Sequence, residues 1–203
     1  SMTGDCLLET IIKKGFLSRL YGSIMDMKIS AMFIDGFIQD FHIQTDEFVK
    51  KPSEFTTFNE FFIRKLKTES RPIVSDDSVI VSPADSKVLF FDNIHDFQKF
   101  SVKGEELSLQ DLIGDSILTE KFKFGSILLF RLAPPDYHWF HFPISGIPGQ
   151  SVKIPGDYYS VSPISWKNHL KIFTENKREY TLIEAVNGVS VIMMEVGATF
   201  VGS

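Results

Sequence analysis

The sequence predicts an α+β fold in which an N-terminal pair or trio of amphipathic helices precedes a β-rich core of short antiparallel strands. Two textures along the chain predict it. Apolar residues in positions 1–50 recur at helical spacing, whereas from Val79 onward short runs rich in Val, Ile, Leu and Phe are punctuated by Gly, Pro, Asn and Asp. The 203 residues, 43% hydrophobic, suffice to bury one good core or a core with a small accessory region.

The first helix follows from Leu7, Leu8, Ile11, Ile12, Phe16, Leu20, Tyr21 and Ile24, with Lys13, Lys14 and Arg19 beside the stripe. A second is marked by Ile29, Met32, Phe33, Phe37, Ile38 and Phe41. Such helices either lie in a lipid headgroup plane, aromatics in the acyl boundary and lysines near anionic lipid, or pack their apolar faces on the rest of the protein. Strands are expected in VIVSPADSKVLFF, SILLFRLA, YTLIEAV and VSVIMMEVGATFV, and LSLQDLIGDSILTEKF reads as a short helix or loop insertion. Residues 1–50 are thus expected to form a helical region, membrane-apposed under the first of these readings, and 51–203 a β-rich core, the two making one globular unit, since no low-complexity tract, repeat or Gly/Ser/Pro linker divides them.

Composition narrows the function classes. A net charge of −5 argues against a general nucleic-acid binder. Cys6 is the one cysteine, which excludes an internal disulfide and a cysteine-based metal cluster, and no His/carboxylate spacing suggests another metal site. No run reaches the roughly 18 apolar residues of a membrane span, so contact with a bilayer would be at its surface. Twenty phenylalanines fit either a Phe-rich core or an apolar partner.

The segment FRLAPPDYHWFHFPISG, Phe130 to Gly146, places His138 and His141 among aromatics between two turn signals. Two groups that titrate near neutrality can move protons in a pocket, or they can be turn histidines satisfied by backbone. In a regular strand their side chains would point to opposite faces, so service to one pocket requires an irregular or helical backbone. Asp85, in Pro83-Ala84-Asp85, is a turn-shaping residue or an acid partner. Arg64, Lys65, Lys67, Arg71, Lys171, Lys177 and Arg178 either meet lipid phosphates or solvate a surface.

Four segments in order, FNEFFIRKLKTESRPI, VSPADSKV, the histidine segment and EVGATFVGS, with YYSVSPIS and ENKREYTLIE between them, resemble the phosphatidylserine decarboxylases across nearly the whole chain. Loss of CO₂ from an amino acid leaves a carbanion that no ordinary side chain delocalises, and the resemblance implies that the electron sink is a covalent pyruvoyl group made from the protein's own serine. It implies that Asp85 and His141 serve the self-cleavage that makes this group, in the manner of a serine, histidine and aspartate arrangement. It further implies that His138 lies near the substrate and the pyruvoyl carbonyl, with Tyr137 beside it at the substrate.

The family's cleavage motif, Gly-Ser followed by Ser or Thr, lies downstream of the segment matching EVGATFVGS. Gly22-Ser23, Gly125-Ser126 and Gly202-Ser203 are none of them followed by Ser or Thr. The chain is therefore expected to be a β-chain portion that cannot form the cofactor alone, partnered by a pyruvoyl-bearing α chain. Two residues depart from the family pattern: Ser86 stands where glycine is usual, and Trp139 where arginine or another polar residue is common. The expected activity is decarboxylation of phosphatidylserine to phosphatidylethanolamine by a peripheral protein of a bacterial inner membrane or an organellar membrane, with a homodimer left open. A decarboxylase of a soluble amino acid and a non-catalytic lipid-binding module are the alternatives.

Overall fold

The computed structural model describes residues 15–92, 99–102, 105–159 and 172–198. The fold is α+β, as expected, with helices in the N-terminal part and antiparallel strands after it. Leu7 to Ile12, His95, Lys171, His169 and Gly202-Ser203 lie outside the described residues.

The first helix, α1 (Gly15–Met25), leads into a 3₁₀ segment (Lys28–Phe33) and α2 (Ile34–Phe41). The second apolar stripe is thus split between two helical geometries, and α2 ends where His42 adopts a left-handed conformation at φ 51°. Short 3₁₀ turns at Thr45–Glu47 and Pro52–Glu54 then carry the chain to α3 (Phe58–Phe62). This helix starts at Thr57, whose hydroxyl accepts the Glu60 N–H at 3.1 Å, while the Glu60 carboxylate accepts from the backbone and hydroxyl of Thr56. Lys50 also bonds Glu60, and with Thr56 it holds that carboxyl at about 2.

These helices pack on one another rather than on the strands. Ile34, Phe48, Phe55 and Phe61 are buried, with Phe37, Ile38, Phe58 and Leu66 packed against them. Phe61 is fully buried, and its ring lies 5.7–6.2 Å from those of Phe37, Phe48, Phe55 and Phe58 in edge-on and tilted pairs. Much of the phenylalanine content is therefore a core of the helical region. In the same region Leu20, Ile24, Met27, Ile29, Met32 and Phe33 are exposed. No helix among the described residues is long and apolar enough to cross a membrane.

The strand region has two parts. β1 (Lys87–Phe91) pairs antiparallel with β4 (Ile127–Arg131), from Lys87 opposite Arg131 to Phe91 opposite Ile127. Between them come the hairpin of β2 (Lys99–Val102) and β3 (Glu105–Ser108), then α4 (Leu109–Ile113) and α5 (Ser116–Phe122), so the LSLQDLIGDSILTEKF segment is two short helices. Ser108 and Asp115 cap them by accepting backbone N–H groups.

The second sheet is built on β7 (Arg178–Ala185). β5 (Gly146–Pro148) and β6 (Val152–Ile154) share one of its edges, and β8 (Ser190–Val196) takes the other. Gly146 has to be glycine, because a Cβ there would lie 2.6 Å from the Glu184 carbonyl. α4 and α5 close over this sheet through Leu109, Ile113 and Tyr180, with Phe122, Ile192 and Met194 around them.

Arg178 is buried, and its guanidinium donates to the carbonyls of Asp111, Leu112, Thr174 and Asn176. It ties the end of α4 to β7, which corrects the expectation that it solvates a surface or meets lipid. The sequence has too few cues to show that its charge is spent on orphan helix carbonyls. Asn176, before β7, is also fully buried. It accepts from the Tyr159 N–H and donates to the Tyr159 and Gly197 carbonyls, at 2.7–2.9 Å.

Candidate active site

The site is assembled where the chain just before β1 runs beside the chain that follows β4. Val81 N–H donates to the Pro143 carbonyl at 2.9 Å and His141 N–H to the Pro83 carbonyl at 3.0 Å, and both prolines are buried. Residues 83 and 87 on one side therefore face 141 and 131 on the other. The surplus chain, 132–140, has to arch out of the ladder, and it carries Tyr137 and His138 with it. Its backbone is irregular from 137 to 142, neither strand nor helix.

The tip of this arch is a turn in which Asp136 N–H donates to the Ala133 carbonyl at 2.9 Å and the Asp136 carboxylate accepts from Ala133 N–H at 2.6 Å. The arch is seated on the residues that end α3. The His138 ring stacks on Phe62, centroids 4.3 Å apart, and Trp139 donates its indole N–H to the Ile63 carbonyl at 2.9 Å. Arg64 donates to the Pro135 carbonyl at 2.7 Å, and Lys65 lies 5.1 Å over the Trp139 ring. Trp139, one of the two departures from the family pattern, is thus a structural anchor of the histidine loop, with part of its surface exposed.

Arg64 is only 4% exposed. Its guanidinium lies 5.1 Å from the rings of both Phe48 and Phe61, and its Nε and Nη1 are buried without hydrogen-bond partners. Burial lowers its pKa, an effect opposed by the charges of Asp85 and Asp136 and by Tyr137. This buried cation in the site is a second correction to the surface reading of the basic residues.

His138 Nε2 is likewise buried without a partner. Burial lowers the pKa of the ring, against the carbonyls of Pro134 and Ala133 and the Asp136 carboxylate, while Arg64 pushes the same way as burial. The imidazole is therefore held neutral at pH 7. With those carbonyls favouring an N–H on the other nitrogen, Nε2 keeps its lone pair as a base.

Asp85 sits in the turn just before β1, and among the described residues its carboxylate is held by Arg71 and by no imidazole. Arg71 Nε lies 2.7 Å from Oδ1 and 2.9 Å from Oδ2, with Nη2 2.6 Å from Oδ2. Nη1 of the same guanidinium donates to both Glu47 oxygens at 3.2 Å and to the Ser70 carbonyl at 2.6 Å. These carboxylates raise the Arg71 pKa further, so it is a fixed cation. Ser86 raises no backbone difficulty: His42 is the non-glycine residue with positive φ among those described.

Asp85, Tyr137 and His138 thus share the field of Arg64, and the turn holding Asp85 is hydrogen-bonded to the backbone of His141, whose side chain is half-buried. Sequence reasoning took Arg64 and Arg71 for lipid-facing or solvated cations rather than site residues, and missed Phe62. Their one signal was membership of the FNEFFIRKLKTESRPI segment, where two arginines look no different from surface cations. No cluster of His, Cys, Asp or Glu able to hold a metal ion occurs among the described residues.

The phosphatidylserine decarboxylase family matches residues 58–203. The phosphatidylserine decarboxylase proenzyme of Clostridium novyi (strain NT) is 46% identical over 203 residues, covering 100% of this chain and 69% of the relative. That of Clostridium tetani (strain Massachusetts / E88) is 44% identical, covering 97% of this chain and 66% of the relative. That of Clostridium beijerinckii is 42% identical over the whole chain. The chain spans about two thirds of the length of these relatives.

Proposed function

This chain belongs to the phosphatidylserine decarboxylase family, and from that premise we propose that it is the β-chain portion of a self-processing, pyruvoyl-dependent enzyme that converts phosphatidylserine to phosphatidylethanolamine. The observation that carries the reading is the meeting of buried nitrogens without hydrogen-bond partners, Nε and Nη1 of Arg64 and Nε2 of His138, in one neighbourhood with Asp85 and Tyr137. Buried polar atoms are rarely left unpaired unless a further group completes them.

That donor set fits a pyruvoyl group. The N–H donors of Arg64 match its carbonyl oxygens, and His138 supplies a base beside them. The group, when bound, supplies the electron sink that decarboxylation of an amino acid requires. His138, fixed in plane by Phe62 and neutral through burial, takes or returns a proton at Nε2. Tyr137, on the same loop, contributes to substrate binding. For maturation, His141 acts as the base on a serine hydroxyl and Asp85 orients it.

Two surfaces support the partners in this reading. The exposed apolar face at Leu20, Ile24, Met27, Ile29, Met32 and Phe33 suits a peripheral stay on a lipid surface, which favours a phospholipid over a soluble amino acid. Val88, Phe90 and Leu128 are each 44–60% exposed, so the face of the two-stranded β1·β4 ladder that carries them is open, while Phe91, Ile127 and Leu129 on the other face pack on a core with Leu107, Ile172 and Phe173. An additional chain segment, the pyruvoyl-bearing α chain, would cover the open face.

The test is to express the protein through its downstream segment and supply phosphatidylserine vesicles or free amino acids. Release of CO₂ with formation of phosphatidylethanolamine is expected, together with an intact mass showing two chains, the smaller blocked at its amino end. Release of CO₂ from free amino acids alone refutes the lipid assignment, and a single unprocessed active chain refutes the pyruvoyl.

A further inference from the structure

We propose that Arg71 is the positioning residue for Asp85, a guanidinium fork that fixes the rotation of the carboxylate and ties it to the helical region. The proposal rests on the reading that Asp85 works in maturation. Nothing in the aspartate's own turn holds it: the hydroxyls of Ser82 and Ser86 both donate to the Ala84 carbonyl and leave the Asp85 carboxylate to Arg71. Nε spans both carboxylate oxygens and Nη2 grips the second, so the plane of the carboxylate is set by the plane of the guanidinium. Oδ1 receives one N–H and keeps lone-pair capacity for a further donor such as an imidazole.

Arg71 is held in turn from the helical side. Glu47 accepts from Nη1 with both oxygens, and its own backbone is anchored by Lys67 N–H to the Glu47 carbonyl at 2.8 Å. Next to it, Phe48 bridges to Leu66 and is buried in the phenylalanine core. The carboxylate of Asp85 is therefore referenced through one guanidinium to the body that also seats His138. The ion pairs are open, with side-chain exposures of 38% for Arg71, 28% for Asp85 and 27% for Glu47. Pairs this exposed contribute little to stability. Their effect belongs to geometry, and that separates this role from a structural one.

The experiment follows self-cleavage of the full-length proenzyme, read by intact mass as the two chains appear. Arg71→Ala is expected to slow cleavage by at least tenfold while leaving the melting temperature close to that of the parent. Added guanidinium ion at tens of millimolar restores the rate severalfold and methylammonium does not, and Arg71→Lys falls between, because an ammonium keeps the charge without the fork. Arg71→Met placed on Asp85→Asn adds no further slowing. Cleavage of Arg71→Ala at the parent rate, or a slowing relieved by neither guanidinium nor lysine, overturns the proposal while leaving the role of Asp85 standing. Cleavage of Asp85→Asn at the parent rate overturns that underlying role instead.

Discussion

His138 shows how one side chain's surroundings set its chemistry. Stacked on Phe62 and half-buried, it has a pKa below the ordinary value of 6.5, first because burial disfavours its charged form. An unfolded chain therefore takes up this proton before the folded one does as the pH falls. The stabilisation is complete above about pH 6.5 and is lost progressively below it, toward the folded pKa. Urea midpoints measured from pH 7.5 down to 5 are expected to fall along this limb, and His138→Phe, which keeps the stacking, to fall less steeply; equal slopes would contradict the assignment. Asn176 is a second residue with one clear job, satisfying three backbone groups from a fully buried position. Asn176→Ala leaves the Tyr159 N–H and two carbonyls without it and is expected to cost about 3 kcal/mol in denaturant unfolding.

Among the elements, α3 is short yet organises the site from two sides. Its inward residue Phe61 anchors the phenylalanine core, and its end presents Phe62, Ile63, Arg64 and Lys65 to the arch that holds the histidines. Truncating Phe61 removes one ring from four aromatic pairs at a fully buried point. Phe61→Ala is expected to destabilise the protein by about 4 kcal/mol. Because the arch rests on this helix, the variant should also loosen the Trp139 contact, visible as a red shift of tryptophan fluorescence. An unshifted spectrum with lost stability would mean that the arch is held from the strand side alone.

Over the whole molecule, a helical region with its own aromatic core meets a strand region with separate cores, and the site lies along their junction. Among the described residues, one face of β1·β4 and the exposed residues of α1 with the 3₁₀ segment after it are apolar surfaces that such an arrangement leaves. Hydrogen exchange should distinguish them. In the full-length protein the amides of 87–91 and 127–131 are expected to gain protection relative to this chain without lipid, whereas residues 20–33 gain protection only when anionic vesicles are added. Protection of 20–33 by the downstream segment would instead make that face a protein contact.

Much was legible from residues alone. The α+β class followed from the helical spacing of apolar residues in the first fifty positions and from the Val-, Ile-, Leu- and Phe-rich runs broken by turn residues after Val79. The family followed from motifs that stand in order along the chain, and with them came Asp85, His138 and His141 as candidates. What the sequence could not tell is where a charge ends up. Arg64, Arg71 and Arg178 look alike as letters, yet one is buried against the rings of Phe48 and Phe61, one forks onto Asp85 and one is spent on helix carbonyls. Each of those fates depends on partners distant in the chain, so tertiary packing alone decided it. Local spacing records which side chains share a face, and only the closed fold records which charges lose their water.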